Sequence, residues 1–452
     1  MIVIKFGGTS VGSADAIART VAVVRNRLDR RPVVVVSALA GTTNQLIEIG
    51  THAAGGQLIV ALSILEELRA RHFAVIAELL AGDATFAEVV SEAGALFDEL
   101  AHLAEALSVL GHATPRSHDA VAAMGERLSA PIVTAALARA GLPAVWVDAR
   151  RVMVTTDDYG RAEPRADEIA VACRALVAPL LREAKVPVLG GYIGGTSSGI
   201  TTTLGRGGSD YSASLFGAAM EAEAIEIWTD VDGMLTADPR VVPGARLIEH
   251  IRFDEAAELA SFGAKVLHPN TIAPAVKRGI PVFVFNSWRP EGKGTRITFD
   301  APRLAVRAIA GKSKTVVVKV RSPRMLASPG ALRAIFAVFE ANRTSVDVVA
   351  TSEVSVSVTV DDDQHLDAVV AQLSALGDVA VERGRGIVAL VGSGLGESTA
   401  TMARALTALG DLRLHMVSLS ATGINLTLIV DDDSVHEAMR RLHDAFFAAE
   451  AA

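Results

Sequence analysis

Val186-Pro-Val-Leu189 runs into Gly190-Gly191-Tyr192-Ile193-Gly194-Gly195-Thr196-Ser197-Ser198-Gly199-Ile200-Thr201-Thr202-Thr203-Leu204-Gly205-Arg206-Gly207-Gly208-Ser209-Asp210. Eight glycines and seven Ser or Thr residues crowd positions 190–210. The apolar run before them suits a strand buried on both faces of a parallel sheet. The residues after them, about Tyr211–Met220, suit a helix. A strand that empties into such a loop and then a helix can cradle an anion. Backbone amides and hydroxyls wrap phosphate, Arg206 can grip a carboxylate or phosphate through two hydrogen bonds, and Asp210 opens the helix. As plain loop chemistry, Asp210 would be an N-cap. Flexible linkers seldom close on Gly-Arg-Gly-Gly-Ser-Asp against a helix.

The same strand–loop–helix rhythm extends outward. Val3, Ile4 and Phe6 lead into Gly7-Gly8-Thr9-Ser10, with a helix over about 14–28. Val33–Val36 leads into Ser37 and on to Thr43. Residues 56–110 are rich in Ala, Leu and Glu at helical spacing. Further strands fall at 144–147, 225–228 and 281–285. This alternation predicts an α/β domain with a mostly parallel sheet sandwiched by helices, over residues 1–298. After the turn at Pro290–Gly294 the units shorten and repeat. Strand 315–320, helix 330–341, strands 345–350 and 352–360, helix 364–376 and strand 379–383 make a ferredoxin-like βαββαβ unit, 314–384. A second unit, 385–452, lacks its closing strand. The orphan strand at 304–310 is expected to complete it, so that 304–313 and 385–452 form one unit with the first inserted within it.

The composition excludes several functions. With 43 Lys and Arg against 51 Asp and Glu, the net charge is −8. No basic face for nucleic acid is expected. Cys173 is the single cysteine, so no internal disulfide or Cys-based zinc site can form. No secretory leader opens the chain and no run of 18 uncharged apolar residues occurs, so a soluble cytoplasmic protein with no membrane partner is expected. Half the residues are hydrophobic, which supplies ample core.

Lys5 adds a full positive charge beside Gly7 and Gly8. The segment is not a Walker A loop, because Ser13 stands where its lysine belongs. Trp228-Thr229-Asp230-Val231-Asp232-Gly233 ends a strand, where open α/β sheets bind ligands, and Asp238-Pro239-Arg240 follows. Asp232 reads equally well as turn chemistry. Lys265, after a helix-ending Gly263, can reach a phosphate or complement the helix dipole. His268 has no partners spaced for a metal and reads as structural; no metal-ligating cluster is expected. Gly392-Ser-Gly394-Leu-Gly396 fails as a dinucleotide fingerprint at Glu397 and reads as a tight turn.

Lys5–Ser10, Thr202–Asp210, Trp228–Gly233 and Phe262–Pro269 together resemble the signatures of the amino-acid kinase superfamily, and within it the aspartate kinases. The C-terminal pair resembles the ACT regulatory units these enzymes carry, and the chain is expected to be the monofunctional type. The resemblance implies phosphoryl transfer from ATP, with Mg²⁺, to the side-chain carboxylate of L-aspartate, opening the route to lysine, threonine, methionine and isoleucine. The nucleophile is already an anion, so positive charge and positioning carry the rate. By resemblance, Lys5, Asp210 and Lys265 are catalytic. Arg206 holds the substrate α-carboxylate, Glu126 faces its ammonium, and Ser37 and Thr43 complete that pocket. Gly7, Gly8, Gly207, Gly208, Ser209, Thr229, Asp230 and Arg240, with Lys5 and Lys265, hold ATP. Met325, Ser328, Gly330, Ser345, Val346, Asp347, Ser352 and Glu353 resemble the effector site of lysine-inhibited members, the two acids suiting a dibasic ligand. The stretch departs from that pattern at Ala327, Pro329 and Ala331, which leaves threonine or no effector as alternatives. ACT units pair across subunits, so a homodimer or homotetramer is expected. Two rival functions stand beside this: a kinase of the same fold for glutamate, N-acetylglutamate, carbamate or UMP, and a non-catalytic amino-acid sensor.

Overall fold

A computed structural model describes residues 1–205, 207–262, 269–325, 328–361 and 364–448. The chain divides into two compact units. The first comprises Met1–Met234 and Val266–Phe299, and the second Leu235–Lys265 and Asp300–Ala452.

The strands of the first unit are β1 (Ile2–Phe6), β2 (Pro32–Val36), β3 (Ala144–Trp146), β4 (Val186–Gly190), β5 (Ile193–Gly195), β6 (Thr201–Thr203) and β7 (Ala224–Thr229). β8 (His250–Arg252) belongs to the second unit, and β9 (Val282–Asn286) and β10 (Thr295–Thr298) return to the first. The sheet runs in the order β3-β4-β2-β1-β7-β9-β10. All neighbours from β3 to β9 are parallel, and β10 is antiparallel to β9. β1, β2 and β4 are buried at every position, which is why their sequences are near-continuous apolar runs. β5 and β6 form a separate antiparallel hairpin inside the glycine-rich loop.

The helical stretch expected over 56–110 is two helices, Leu58–Leu80 and Phe86–Leu110, parted where Gly82 takes φ 76°. Residues 115–139 are long and apolar enough to cross a membrane by length and composition alone. They form two helices, Pro115–Ala122 and Met124–Arg139, with 78% of the apolar window buried. They are core helices, and Val121, Met124, Leu128 and Ile132 pack with β1 and β2 in one apolar cluster.

The second unit holds one antiparallel sheet of six strands, β12-β13-β11-β14-β16-β15. These are β11 (Ala308–Arg321), β12 (Val349–Ser352), β13 (Ser355–Val360), β14 (Asp378–Val391), β15 (Met416–Leu419) and β16 (Asn425–Asp431). Strands expected to be separate prove continuous. β14 joins 379–383 to 387–391, so both ferredoxin-like halves share one sheet. β11 starts at Ala308, not 304, and its first residues, Ala308–Lys312, pair with Ile387–Val391 of the second half. Its later residues, Val316–Arg321, pair with β13 of the first half. Gly311 and Gly386 matter here: a Cβ on either would run into Met439 or Val435 of the helix Val435–Phe447 that covers this sheet.

Residues 235–262, expected with the first 298 residues, pack instead in the second unit. Thr236 O accepts from Ile309 N at 2.8 Å, and Ala237 and Val242 share a core with Val306 and Leu390. Fully buried Glu255 accepts from Arg307 Nε (3.1 Å) and from Ser393 N (3.0 Å).

Candidate active site

A cleft of about 690 Å³ opens at the C-terminal ends of β1, β2 and β4. Lys5, Gly8, Ser37, Thr43, Glu126, Gly207, Gly208, Ser209 and Asp210 all line it. Such strand ends are where a parallel sheet leaves its loops free to meet a ligand.

Lys5 lies within β1, flanked by Ile4 and Phe6, and is only 8% exposed. Its Nζ lies 2.7 Å from Asp210 Oδ1, in an ion pair whose angle falls short of an aligned hydrogen bond. Asp210 sits in the first turn of the helix Gly208–Ala219, whose amides add positive potential. That turn comes close only because it is glycine-built. Gly207 takes φ 70°, and a Cβ on Gly208 would lie 2.6 Å from the Tyr192 ring. Gly8 meets the second loop, where Ala40 N donates to its carbonyl at 3.1 Å.

Glu126 is 3% exposed. Its Oε1 accepts from Ala38 N at 3.0 Å, while Oε2 is buried with no partner among the described residues. Burial pushes its carboxyl up to about 8, against the Ala38 amide and the Lys5 charge, which pull it down. A buried acceptor facing a cleft without a donor suits an incoming ammonium group. Ser37 N is held by Phe6 O and its carbonyl by Ser129 Oγ, which fixes the loop that presents Thr43.

Thr229 and Asp230 lie at the end of β7, beside Gly7, and outside the residues that line the cleft. Gly7 N donates to Trp228 O at 2.9 Å, and Thr229 Oγ1 donates to Asp230 Oδ1 at 3.2 Å. Asp232, read equally as turn or site, is occupied by Asn286 Nδ2 and Arg289. Arg240 falls in the second unit, 86% exposed and paired to Asp238 at 2.6 Å. Arg206 and Lys265 lie outside the described residues, as does His268.

The family model described as "Amino acid kinase family" matches residues 1–286, and an ACT domain model matches 388–446. The lysine-sensitive aspartokinase 3 of Escherichia coli is 36% identical, with 99% of each chain covered. The chloroplastic aspartokinase 3 of Arabidopsis thaliana is 36% identical over 99% of this chain and 82% of its own. The chain belongs to the aspartokinases of the amino acid kinase family. The crystal structure of E. coli aspartokinase III with aspartate and ADP (R-state) superposes with a TM-score of 0.85, at 36% identity over 99% of this chain and 100% of that one. Its complex with lysine and aspartate (T-state) gives 0.83 over 99% of both.

In this aspartokinase the residues resembling an effector site fall in two places, ahead of the helix Ala331–Ala341 and around the β12–β13 hairpin. Met325, Ser328 and Gly330 precede the helix Ala331–Ala341, where Ser322 N donates to Val354 O at 2.9 Å. Ser345, Val346 and Asp347 approach β12 from its other end, with Asp347 N on Thr359 O at 3.0 Å. Ser352 faces Ser355 at the turn (Oγ to Oγ 2.7 Å), and Glu353 is exposed there. Within one chain, therefore, Asp347 and Glu353 stand at opposite ends of the β12–β13 hairpin, not in one pocket. Asp347 is also paired already, to Lys312 Nζ at 3.1 Å, and Lys312 bonds Asp361 as well. Burial raises the Asp347 carboxyl, helped by Asp361 and opposed by Lys312.

Sequence reasoning missed Asp119, Tyr192 and Gly160. Tyr192 and Gly160 line the cleft, and Asp119 holds the backbone behind it. A lone Asp in a helix carries no motif, so nothing local marks it.

Proposed function

We propose that this aspartokinase transfers the γ-phosphoryl group of ATP to the side-chain carboxylate of L-aspartate, giving 4-phospho-L-aspartate and ADP. The observation that carries this is the cleft itself: a buried lysine–aspartate pair beside a glycine-built helix start, facing a buried Glu126 oxygen without a donor. An aspartate carboxylate oxygen forms its bond to the γ-phosphorus as the bond to the β–γ bridging oxygen breaks. No proton moves, so no general base is required. Lys5 and the amides from Gly207 onward offset the charge that gathers between two anions. Asp210 holds Lys5 in place. Glu126 takes the substrate ammonium, with Ser37 and Thr43 beside it, and Arg206 takes the α-carboxylate. Gly7, Gly8, Thr229 and Asp230 belong to the nucleotide, and the resemblance extends that role to Arg240 and Lys265. Mg²⁺ usually takes one or two protein carboxylates besides phosphate and water, and Asp210 suits that need; bound there, the ion would supply further charge neutralisation.

We further propose inhibition by lysine at the first ACT unit (314–384), the second being 304–313 with 385–452. Support comes from the relative named lysine-sensitive and from the neighbour solved with lysine and aspartate. Assembly as a homodimer or homotetramer through these units is supported by apolar side chains exposed on the sheet edges, Val349, Val417 and Leu419. A cytoplasmic location suits a chain whose one cysteine, Cys173, is buried and free.

A panel of acceptors tests the substrate: L-aspartate, L-glutamate, N-acetyl-L-glutamate, carbamate and UMP, each with Mg-ATP and release of ADP as the readout. L-Aspartate should exceed the others by at least about a hundredfold in kcat/KM. Preference for another acceptor would move the chain to a different branch of the fold. Tight lysine binding with no turnover on any acceptor would make it a sensor.

A further inference from the structure

Asp119 is 2% exposed and belongs to the helix Pro115–Ala122, just ahead of the helix that carries Glu126. Its carboxylate is held by neutral donors from two separate loops. Gly160 N donates to both oxygens at 3.0 Å. Thr203 N donates to Oδ2 at 3.1 Å, and Thr203 Oγ1 to Oδ1 at 2.6 Å. A carboxylate taken out of water needs such donors, and charge-assisted bonds of this kind are short and directional.

What these donors belong to matters more than their number. Thr203 ends β6, and its carbonyl accepts from Ala162 N at 2.9 Å, so the two loops are also sewn to each other. Two residues on, Gly205 lines the cleft, and a Cβ there would lie 3.4 Å from Gly160 O. Gly207, Gly208, Ser209 and Asp210 follow directly. One buried carboxylate therefore fixes the glycine loop and the Gly160 loop to the helical segment that leads into Glu126. Thr229 and Asp230 hang from β7, whereas the hydrogen bonds given for Asp119 run to Gly160 and Thr203.

Building on the proposed reaction, we infer that Asp119 is a positioning residue that holds the two walls of the cleft in register. It sets the spacing between Glu126, which receives the substrate ammonium, and the glycine loop that ends in Asp210 and meets the phosphates. The alignment of acceptor and phosphoryl group therefore depends on it.

Asp119→Asn turns one acceptor into a donor facing N–H and O–H groups. It should lower kcat/KM for L-aspartate by about a hundredfold, in part through a raised L-aspartate KM, the cost of a small misplacement of reacting groups. Thr203→Val removes one bond alone and should cost about tenfold in kcat/KM for L-aspartate. Thr203→Ser should restore wild-type values. The double variant should be no worse than Asp119→Asn, because both break one clamp. Amide exchange at Gly160 and Thr203 should quicken in Thr203→Val, whether or not the enzyme turns over. A purely structural role would lower stability and active fraction while leaving the L-aspartate KM unchanged, and that result overturns the inference. So does unchanged exchange at both amides. Wild-type turnover with L-aspartate in the same assay keeps the two claims apart: its absence strikes the reaction, and the exchange data still decide the clamp.

Discussion

The proposed catalytic cleft and the proposed effector segment were both reached from short stretches of sequence, and the chain treats them differently. In the cleft, residues from β1, the helix Met124–Arg139 and the helix Gly208–Ala219 arrive at one place, with Lys5 on Asp210 and the buried Glu126 in the same wall. In the hairpin, Asp347 and Glu353 stay at opposite ends, and Asp347 is paired to the chain's own Lys312. Among the described residues, those of the first set meet within a single chain. The second is consistent with a ligand bound by parts of two copies, since a small amino acid cannot span a four-residue strand of about 13 Å with its ammonium groups.

The largest effect that sharpens this contrast is at Lys5. Lys5→Ala should reduce kcat by about a thousandfold or more, the scale of losing a charge aimed at the reacting group. Lysine binding, followed by calorimetry, should persist. A Lys5→Ala enzyme with near-normal turnover would break the catalytic half of the comparison.

Glu126 comes next. Glu126→Gln should raise the L-aspartate KM by about 10- to 100-fold, the range for a hydrogen bond to a charged group. The pH dependence follows from its carboxyl standing at about 8 instead of the usual 4.5. At neutral pH the free cleft holds it mostly protonated, so binding an ammonium group must expel that proton. The L-aspartate KM should fall as pH rises towards 8, and the Gln variant should lose that trend. Stability moves the other way. The folded chain binds more protons than the unfolded one between these two values, so stability declines as pH rises through the window. Denaturant titrations at pH 5 and pH 8 should show this slope in the parent and a shallower one in Glu126→Gln.

The regulatory half gives smaller shifts. Glu353→Ala and Asp347→Ala should each raise the lysine concentration for half-inhibition by about tenfold, with kcat unchanged. If the two acids serve one ligand held between copies, the double variant should be less than additive. Additive effects would make them separate sites and break the reading of the hairpin. Smallest is Lys312→Met. Freeing Asp347 of its internal cation should lower the lysine requirement by about threefold, the scale of a partly exposed ion pair. A rise would show Lys312 to be part of the effector site.

The parts of the fold legible in the sequence were local. Val33–Val36 and the glycine run into Asp210 announce their strands, loop and helix within a few residues of each other. Lys5 and Asp210 were legible for the same reason. Glu126 was marked only by resemblance, because an acid in a helix ordinarily faces water and burial cannot be seen from its neighbours. Asp119 had not even that. The joining of two expected units into one sheet was hidden because 379–383 and 387–391 each read as a short strand of its own unit, whereas β14 runs through both. The placement of residues 235–262 was hidden because Thr236 meets Ile309 and His443 meets Thr236, contacts far apart along the chain.

The measurement that bears most directly on the account is formation of aspartyl hydroxamate from L-aspartate, Mg-ATP and hydroxylamine, with and without millimolar L-lysine. The expected result is ATP-dependent hydroxamate that lysine suppresses. Product indifferent to lysine would remove the effector and leave the enzyme. No product from L-aspartate in the absence of lysine would contradict the central claim.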